Sequence, residues 1–339
     1  MSPQLKRFAL LSCTLALLAC SLFLGSPSTA RAASGTWQSF VFISPAGNHP
    51  FFVYTPVNYH PGTPVPLVVM LHGCLQTPSD LAAGTQMDDL ADQQRFIVVY
   101  PQQTAAFNAS SCWNWFLPVD QVRGSGEPAV IAGITQFVEQ TTSQWTIDAR
   151  RVYVTGISAG AAMSVIMGAT YPDIYAAIGV HSGTEYQASV SPFTAGSVLL
   201  FGGPNPSGQG QAAFNAMGSN ARVVPTIVFH GTSDNVVAPI NGDQAVQQWM
   251  TTDRLASGGS YNASFGSPGS VTNGQVPGGH AFKVRRWNDA NGREIQEYWT
   301  INGMGHAWSG GSTAGSFTDP QGPSATQAMY TFFINHPMP

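Results

Sequence analysis

Arg151-Val-Tyr-Val-Thr-Gly-Ile-Ser-Ala-Gly160, followed by Ala161-Ala-Met-Ser-Val-Ile-Met-Gly168, decides the fold. Val152–Val154 reads as a short buried strand. Gly156-Ile-Ser-Ala-Gly160 turns at once into an apolar helix of small residues. Strand, sharp turn and helix in that order are the setting of a nucleophile elbow. The turn strains the backbone of the nucleophile, so its neighbours must be small, and Gly156, Ala159 and Gly160 are. The helix start after Ser158 brings free N–H groups and a partial positive charge to an oxyanion. The plainer alternative is a glycine-rich turn with Ser158 as a capping serine.

Outward from this stretch, apolar runs alternate with helical patterns. Leu67–Leu71 and Thr226–Phe229 are continuous apolar strands, the mark of a parallel sheet covered on both faces. Phe96–Tyr100 and Tyr175–Val180 are two more. Helices are predicted from Pro78 to about Gln94, from Glu127 to near Trp145, over Asn241–Ala256 and over Thr326–Ile334. Trp37–Ile43 and Phe51–Tyr54 read as an edge hairpin. Ala281–Trp287 and Glu294–Thr300 read as a second, around Ala290-Asn-Gly292. Residues 185–221 show no clear periodicity and are expected to cap the site. The fold class is α/β, with a mostly parallel central sheet and helices on both faces.

The first 32 residues read as a signal peptide: Lys6 and Arg7, an apolar Phe8–Leu24, and Ala30-Arg-Ala32 for cleavage. A lipoprotein signal around Cys20 and an uncleaved anchor are the alternatives. Residues 33–339 then form a single catalytic domain. Removing the leader takes Lys plus Arg from 13 to 10 against 17 Asp plus Glu, a net charge of about −7 at neutral pH. That balance speaks against nucleic acid and anionic membranes as partners. The expected protein is secreted, extracellular or periplasmic, and works as a monomer. Two cysteines remain, Cys74 and Cys112. In an exported chain the pair reads as a disulfide, with two buried thiols as the alternative.

A serine hydroxyl needs a histidine to take its proton and a carboxylate to hold that histidine's tautomer. Asp234 follows the apolar strand Thr226–Phe229 with four residues between, and His306 lies past the last strand, giving the order Ser, acid, His. Asp243 and Asp173 read as a cap and a surface turn. His280 is a rival base. His181 and His230 end strands and support the site or simply pack, and His72 reads as structural. No histidine pair or cysteine cluster has metal-ligand spacing, so no metal is expected. The oxyanion donors are expected from the amides of Ala159 and Cys74. Trp113, Trp115 and Trp308 are candidates for the substrate wall, with core packing as the other reading.

Leu71-His-Gly-Cys-Leu-Gln76, Cys112-Trp-Asn-Trp-Phe116, Gly156-Ile-Ser-Ala-Gly160, His230-Gly-Thr-Ser-Asp234 and Gly305-His-Ala-Trp-Ser-Gly310 together resemble the poly(3-hydroxybutyrate) depolymerase family of esterases, related to feruloyl and acetylxylan esterases. The resemblance runs from about residue 37 to the C-terminus. It implies an α/β-hydrolase fold and ester hydrolysis without a cofactor. It also implies Ser158 as nucleophile, Asp234 as acid, His306 as base, and Cys74 and Ala159 as oxyanion donors. Such depolymerases often carry a separate polymer-binding domain beyond the catalytic one, and none is expected in the short stretch after His306. The substrate implied is a short-chain polyhydroxyalkanoate or its oligomers. The alternative is a plant-wall ester, cleaved by a feruloyl or acetylxylan esterase.

Overall fold

The computed structural model describes residues 34–339; the signal peptide read in residues 1–32 lies outside the described residues. Strands β1 (Thr36–Ser44) and β2 (Gly47–Thr55) form the first hairpin, with Trp37 opposite Tyr54. Then come β3 (Val65–Leu71), helices α1 (Pro78–Thr85) and α2 (Met87–Gln94), and β4 (Ile97–Pro101). Helix α3 (Gly126–Gln140), β5 (Ile147–Ile157), α4 (Ala159–Thr170) and β6 (Ala177–His181) follow. Next are α5 (Pro192–Phe201), α6 (Pro206–Met217), β7 (Thr226–Gly231) and α7 (Ile240–Ala256). The chain closes with β8 (Ser270–Gln275), β9 (Ala281–Asn288), β10 (Glu294–Ile301), the two-residue β11 (Trp308–Ser309) and β12 (Thr318–Asp319), and α8 (Ala325–Ile334).

Ten strands make one sheet in the order β1-β2-β4-β3-β5-β6-β7-β10-β9-β8. From β4 to β10 neighbours run parallel, with antiparallel strands at both edges. The period of two along each strand splits the core. Leu67, Val69 and Leu71 pack with Val152, Val154 and the α3–α4 face. Val68 and Met70 pack with Tyr153, Ile227 and α8 on the other. Every residue of β3 is buried, as its unbroken apolar run requires. Register lines up the carboxyl ends: Leu71 lies opposite Gly156, Ile157 opposite His181, His181 opposite Phe229, and Gly231 opposite Ile301. The loops leaving these strands therefore share one edge of the sheet, where α/β sheets bind ligands.

The main differences from the sequence expectation lie in three stretches. The helix predicted from Pro78 to Gln94 is two helices, broken where Gln86 takes a left-handed backbone (φ 56°) and its N–H donates to the Ala82 carbonyl. Residues 185–221 hold α5 and α6, each opened by a proline at its first turn behind a capping Ser191 or Asn205. Their apolar residues escape a periodic reading because α5 leaves several of them in solvent. Strand β8 is polar and almost wholly exposed, so it has no alternation to read.

Candidate active site

Ser158 links β5 to α4 with φ 58° and ψ −123°, a left-handed backbone that costs a non-glycine residue about 1–3 kcal/mol. Its N–H donates to the His181 carbonyl at 3.0 Å, and its own carbonyl accepts from Ala162 N at 3.0 Å. A Cβ on Gly156 or on Gly160 would collide with the Leu71 carbonyl, so both flanking glycines are steric necessities. The Ser158 side chain makes no capping bond, which sets aside the capping-serine alternative.

Asp234 sits just past β7 and is buried. Its Oδ1 accepts from the N–H groups of Val236 (3.0 Å) and Val237 (2.9 Å), and its Oδ2 from His306 Nδ1 at 2.8 Å. Burial alone would push this carboxyl up. The hydrogen bond and charge of His306, with His230 and Val237 N–H, outweigh burial and hold it below its ordinary value. The loop after β10 thus delivers His306 to Asp234 across 72 residues of sequence. Among the described residues, neither Ser158 Oγ nor His306 Nε2 has a hydrogen-bond partner, so the two are not bonded to each other. Catalytic hydrogen bonds commonly tighten only once substrate is bound.

The rivals are engaged elsewhere. Asp173 grips Arg123 through both oxygens, Asp243 faces Arg285 at 3.5 Å, and His280 pairs with Asp319 at 2.9 Å. His72 accepts from Gln103 N at 3.0 Å, in keeping with a structural role. His230 bonds the Val237 carbonyl at 2.8 Å and steadies the loop that holds Asp234. His181 does more than its strand-end position suggested. Its carbonyl holds Ser158, its Nε2 accepts from Ser309 N at 3.0 Å, and its ring stacks on Trp308 at 4.9 Å. Burial first, then the charges of His230 and His306, keep this imidazole well below its usual value, so it stays a neutral acceptor.

The loop after β3 approaches from the other side. A Cβ on Gly73 would lie 3.4 Å from the Ser158 Cβ, and Gly73 N–H is tied to Gln76 Oε1 at 2.9 Å. Cys74 and Cys112 form the expected disulfide, with Cα atoms 4.2 Å apart. Among the described residues, the N–H groups of Cys74 and Ala159 have no protein acceptor. Behind them Glu127, missed in the sequence, accepts from Asn114 N (2.7 Å) and from the side-chain amides of Asn114 and Gln103. The Gln103 amide also donates to the Cys112 carbonyl at 3.1 Å. Burial, then Asp120, push Glu127 up to about 8, against the pull of these donors.

The tryptophans need correcting. Trp113, Trp115 and Trp308 are all buried, at 5 % exposure or less, so none offers a face to substrate. Trp308 donates to Thr326 Oγ1 at 3.0 Å and backs His181, while Trp113 lies beside the His72 ring. The exposed apolar side chains of the rim are others. Leu75 comes directly after Cys74 and is 74 % exposed, and the half-exposed Phe317 ring stands 6.2 Å from His306. Both take positive φ, at 65° and 51°, a rare state for bulky residues and an added strain at this edge. No motif flags either residue, because their exposure is set by tertiary packing.

This geometry has three measurable outcomes. Cys112→Ser opens a 38-residue separation and should lower the unfolding free energy by about 2–4 kcal/mol, read by urea titration. His181→Phe keeps a stacking ring but strands Ser309 N–H, and should cut kcat on a soluble ester about tenfold or more with little change in KM, whereas His181→Gln restores an acceptor. Glu185, just past β6, is buried with neither carboxylate oxygen hydrogen-bonded among the described residues, and burial pushes it up to about 8. Its folded value lies above the unfolded one, so the folded state binds more protons in that window and stability falls as pH rises from about 5 to 8. Glu185→Gln should flatten that fall by roughly 2 kcal/mol in thermal melts across the range.

Comparison with known proteins places the chain. The family model described as esterase PHB depolymerase matches residues 53–264. Poly(3-hydroxyalkanoate) depolymerase C of Paucimonas lemoignei is 34% identical over 294 residues, 86% of this chain and 67% of that protein. Feruloyl esterase B of Neurospora crassa is 32% identical over 64% of this chain and 76% of its own length. Poly(3-hydroxybutyrate) depolymerase of Ralstonia pickettii is 31% identical over 90% of this chain, which spans only 61% of that relative. Among solved structures, an acetyl xylan esterase from Aspergillus awamori aligns with TM-score 0.69 over 89% of this chain and all of its own, at 22% identity, and shares the fold. The α/β-hydrolase sheet and the matched family model together make this chain a member of the esterase PHB depolymerase family, a carboxylic ester hydrolase of the serine type.

Proposed function

We propose that the protein is a secreted esterase that cleaves short-chain polyhydroxyalkanoate polyester or its oligomers, with Ser158, His306 and Asp234 as its triad. The contact that carries this reading is Asp234 Oδ2 to His306 Nδ1 at 2.8 Å, with Ser158 strained into an elbow at the same carboxyl edge of the sheet. Ser158 Oγ attacks the ester carbonyl as His306 Nε2 takes its proton. The resulting oxyanion is met by the unpartnered N–H groups of Cys74 and Ala159. His306 then protonates the leaving alcohol, and water cleaves the acyl-enzyme by the same path in reverse. Residues 33–339 act as one catalytic domain after the signal peptide is removed, working alone on the substrate.

Two observations favour a polyester. Two exposed apolar side chains lie at the site's loops, Leu75 next in sequence to Cys74 and Phe317 with its ring 6.2 Å from His306. Relatives covering most of the chain are named as depolymerases. A sugar leaving group would want charged or amide side chains at such a rim. Purified protein should clear a suspension of amorphous poly(3-hydroxybutyrate), while Ser158→Ala should lose activity by about 10⁴-fold or more, as in other serine triads. Hydrolysis of p-nitrophenyl butyrate without clearing would move the substrate to feruloyl or acetylxylan esters. Full activity in Ser158→Ala would overturn the triad.

A further inference from the structure

Helix α5 carries the most exposed aromatic of the described residues. Phe193 is 96 % and Phe201 78 % exposed, and Leu200 and Val190 are more than half exposed. Phe193 and Leu200 lie seven residues apart, so they stand on one face two turns along, with Phe201 beside them. This face is not a loose end. Ser191 caps the helix by accepting from Phe193 N, and Ala195 and Val198 are buried beneath it. Past its last turn, Gly203 N–H donates to Gln244 Oε1 of α7 at 2.8 Å, and the Gln244 amide donates back to the Gly203 and Pro204 carbonyls. A soluble protein that fixes a phenyl ring almost wholly in water, on a well-capped helix, has a reason to present it.

Position and charge narrow what it meets. The carbonyls of Val198 and Leu199 accept from the Asn241 side chain, and Leu199 also from Ala238 N at 2.7 Å. Those donors sit on the segment that continues from Asp234, so α5 borders the edge of the sheet where Asp234, His306 and Ser158 emerge. Residues 186–221 contain no Asp, Glu, Lys or Arg, in a chain whose formal net charge is negative. The net negative charge of the chain disfavours an anionic lipid surface. The complement of an uncharged, apolar, rigid face beside the catalytic groups is an uncharged, apolar solid.

We propose that the outer face of α5, centred on Phe193, Leu200 and Phe201, is a docking surface for solid polyester that holds the catalytic edge against the polymer. This rests on the polyester reading above. The test uses the full chain carrying Ser158→Ala, so that adsorption to amorphous poly(3-hydroxybutyrate) granules is measured without turnover. Adding Phe193→Ser and Phe201→Ser should weaken adsorption about tenfold or more, since that needs the loss of only part of one phenyl group's transfer free energy. With Ser158 intact, the same pair should leave p-nitrophenyl butyrate hydrolysis within about twofold, as expected for exposed positions. Phe193→Ser alone, the more exposed site, serves if the pair fails to fold.

Unchanged adsorption in these variants overturns the docking face. So does equal binding to uncharged phosphatidylcholine vesicles, which would make the partner a lipid surface. A wild-type dimer that the substitutions dissociate overturns it in favour of a second copy. Adsorption through α5 without clearing by the wild type would sink the substrate reading and leave the docking face standing. Clearing with adsorption indifferent to α5 would do the reverse.

Discussion

Everything at the catalytic edge depends on one tight contact: the β5–α4 turn pressed against the end of β3. The Leu71 carbonyl occupies the space that a side chain at position 156 or 160 would need. With that space filled, the chain can reverse only through a left-handed residue, and Ser158 is the one that takes the strain. Register then carries the constraint across the sheet. Because Leu71, Gly156, Ile157, His181, Phe229, Gly231 and Ile301 line up, the loops after β3, β5, β6, β7 and β10 converge without further design.

His181 and Glu127 turn that convergence into fixed geometry. His181 holds the serine by its carbonyl and the histidine-bearing loop by its ring nitrogen, so one neutral buried residue couples two catalytic segments. Glu127 gathers Asn114 and, through Gln103, the Cys112 carbonyl and the His72 ring. The disulfide then joins this network to the loop that carries the Cys74 amide. Buried polar groups of this kind are stabilising only when satisfied together, because each unpaired one is costly in a low-dielectric interior.

The sheet, the elbow, the disulfide and the Asp234–His306 pairing were legible in the sequence because each rests on local grammar: apolar runs, small residues around a serine, an even cysteine count, chain order of acid and base. What escaped was set by tertiary packing. Trp113, Trp115 and Trp308 neighbour the catalytic residues in sequence, yet they point inward and leave the rim to Leu75 and Phe317. Helices α5 and α6 hid because their apolar residues do not alternate with polar ones as a half-buried helix should. Glu127 looked like a helix start, and only the folded chain shows which loops its carboxylate serves.

The placement of β10 has a consequence for when the enzyme becomes one. The serine turn lies on strands that can pair early, whereas the histidine arrives only when β10 docks in parallel against β7 after the excursion through α7, β8 and β9. A chain built from its N-terminus therefore completes the Ser158 turn before His306 has been made. On this topology the set of residues gathered at the carboxyl edge is complete only once β10, the last strand of the parallel run, has docked against β7.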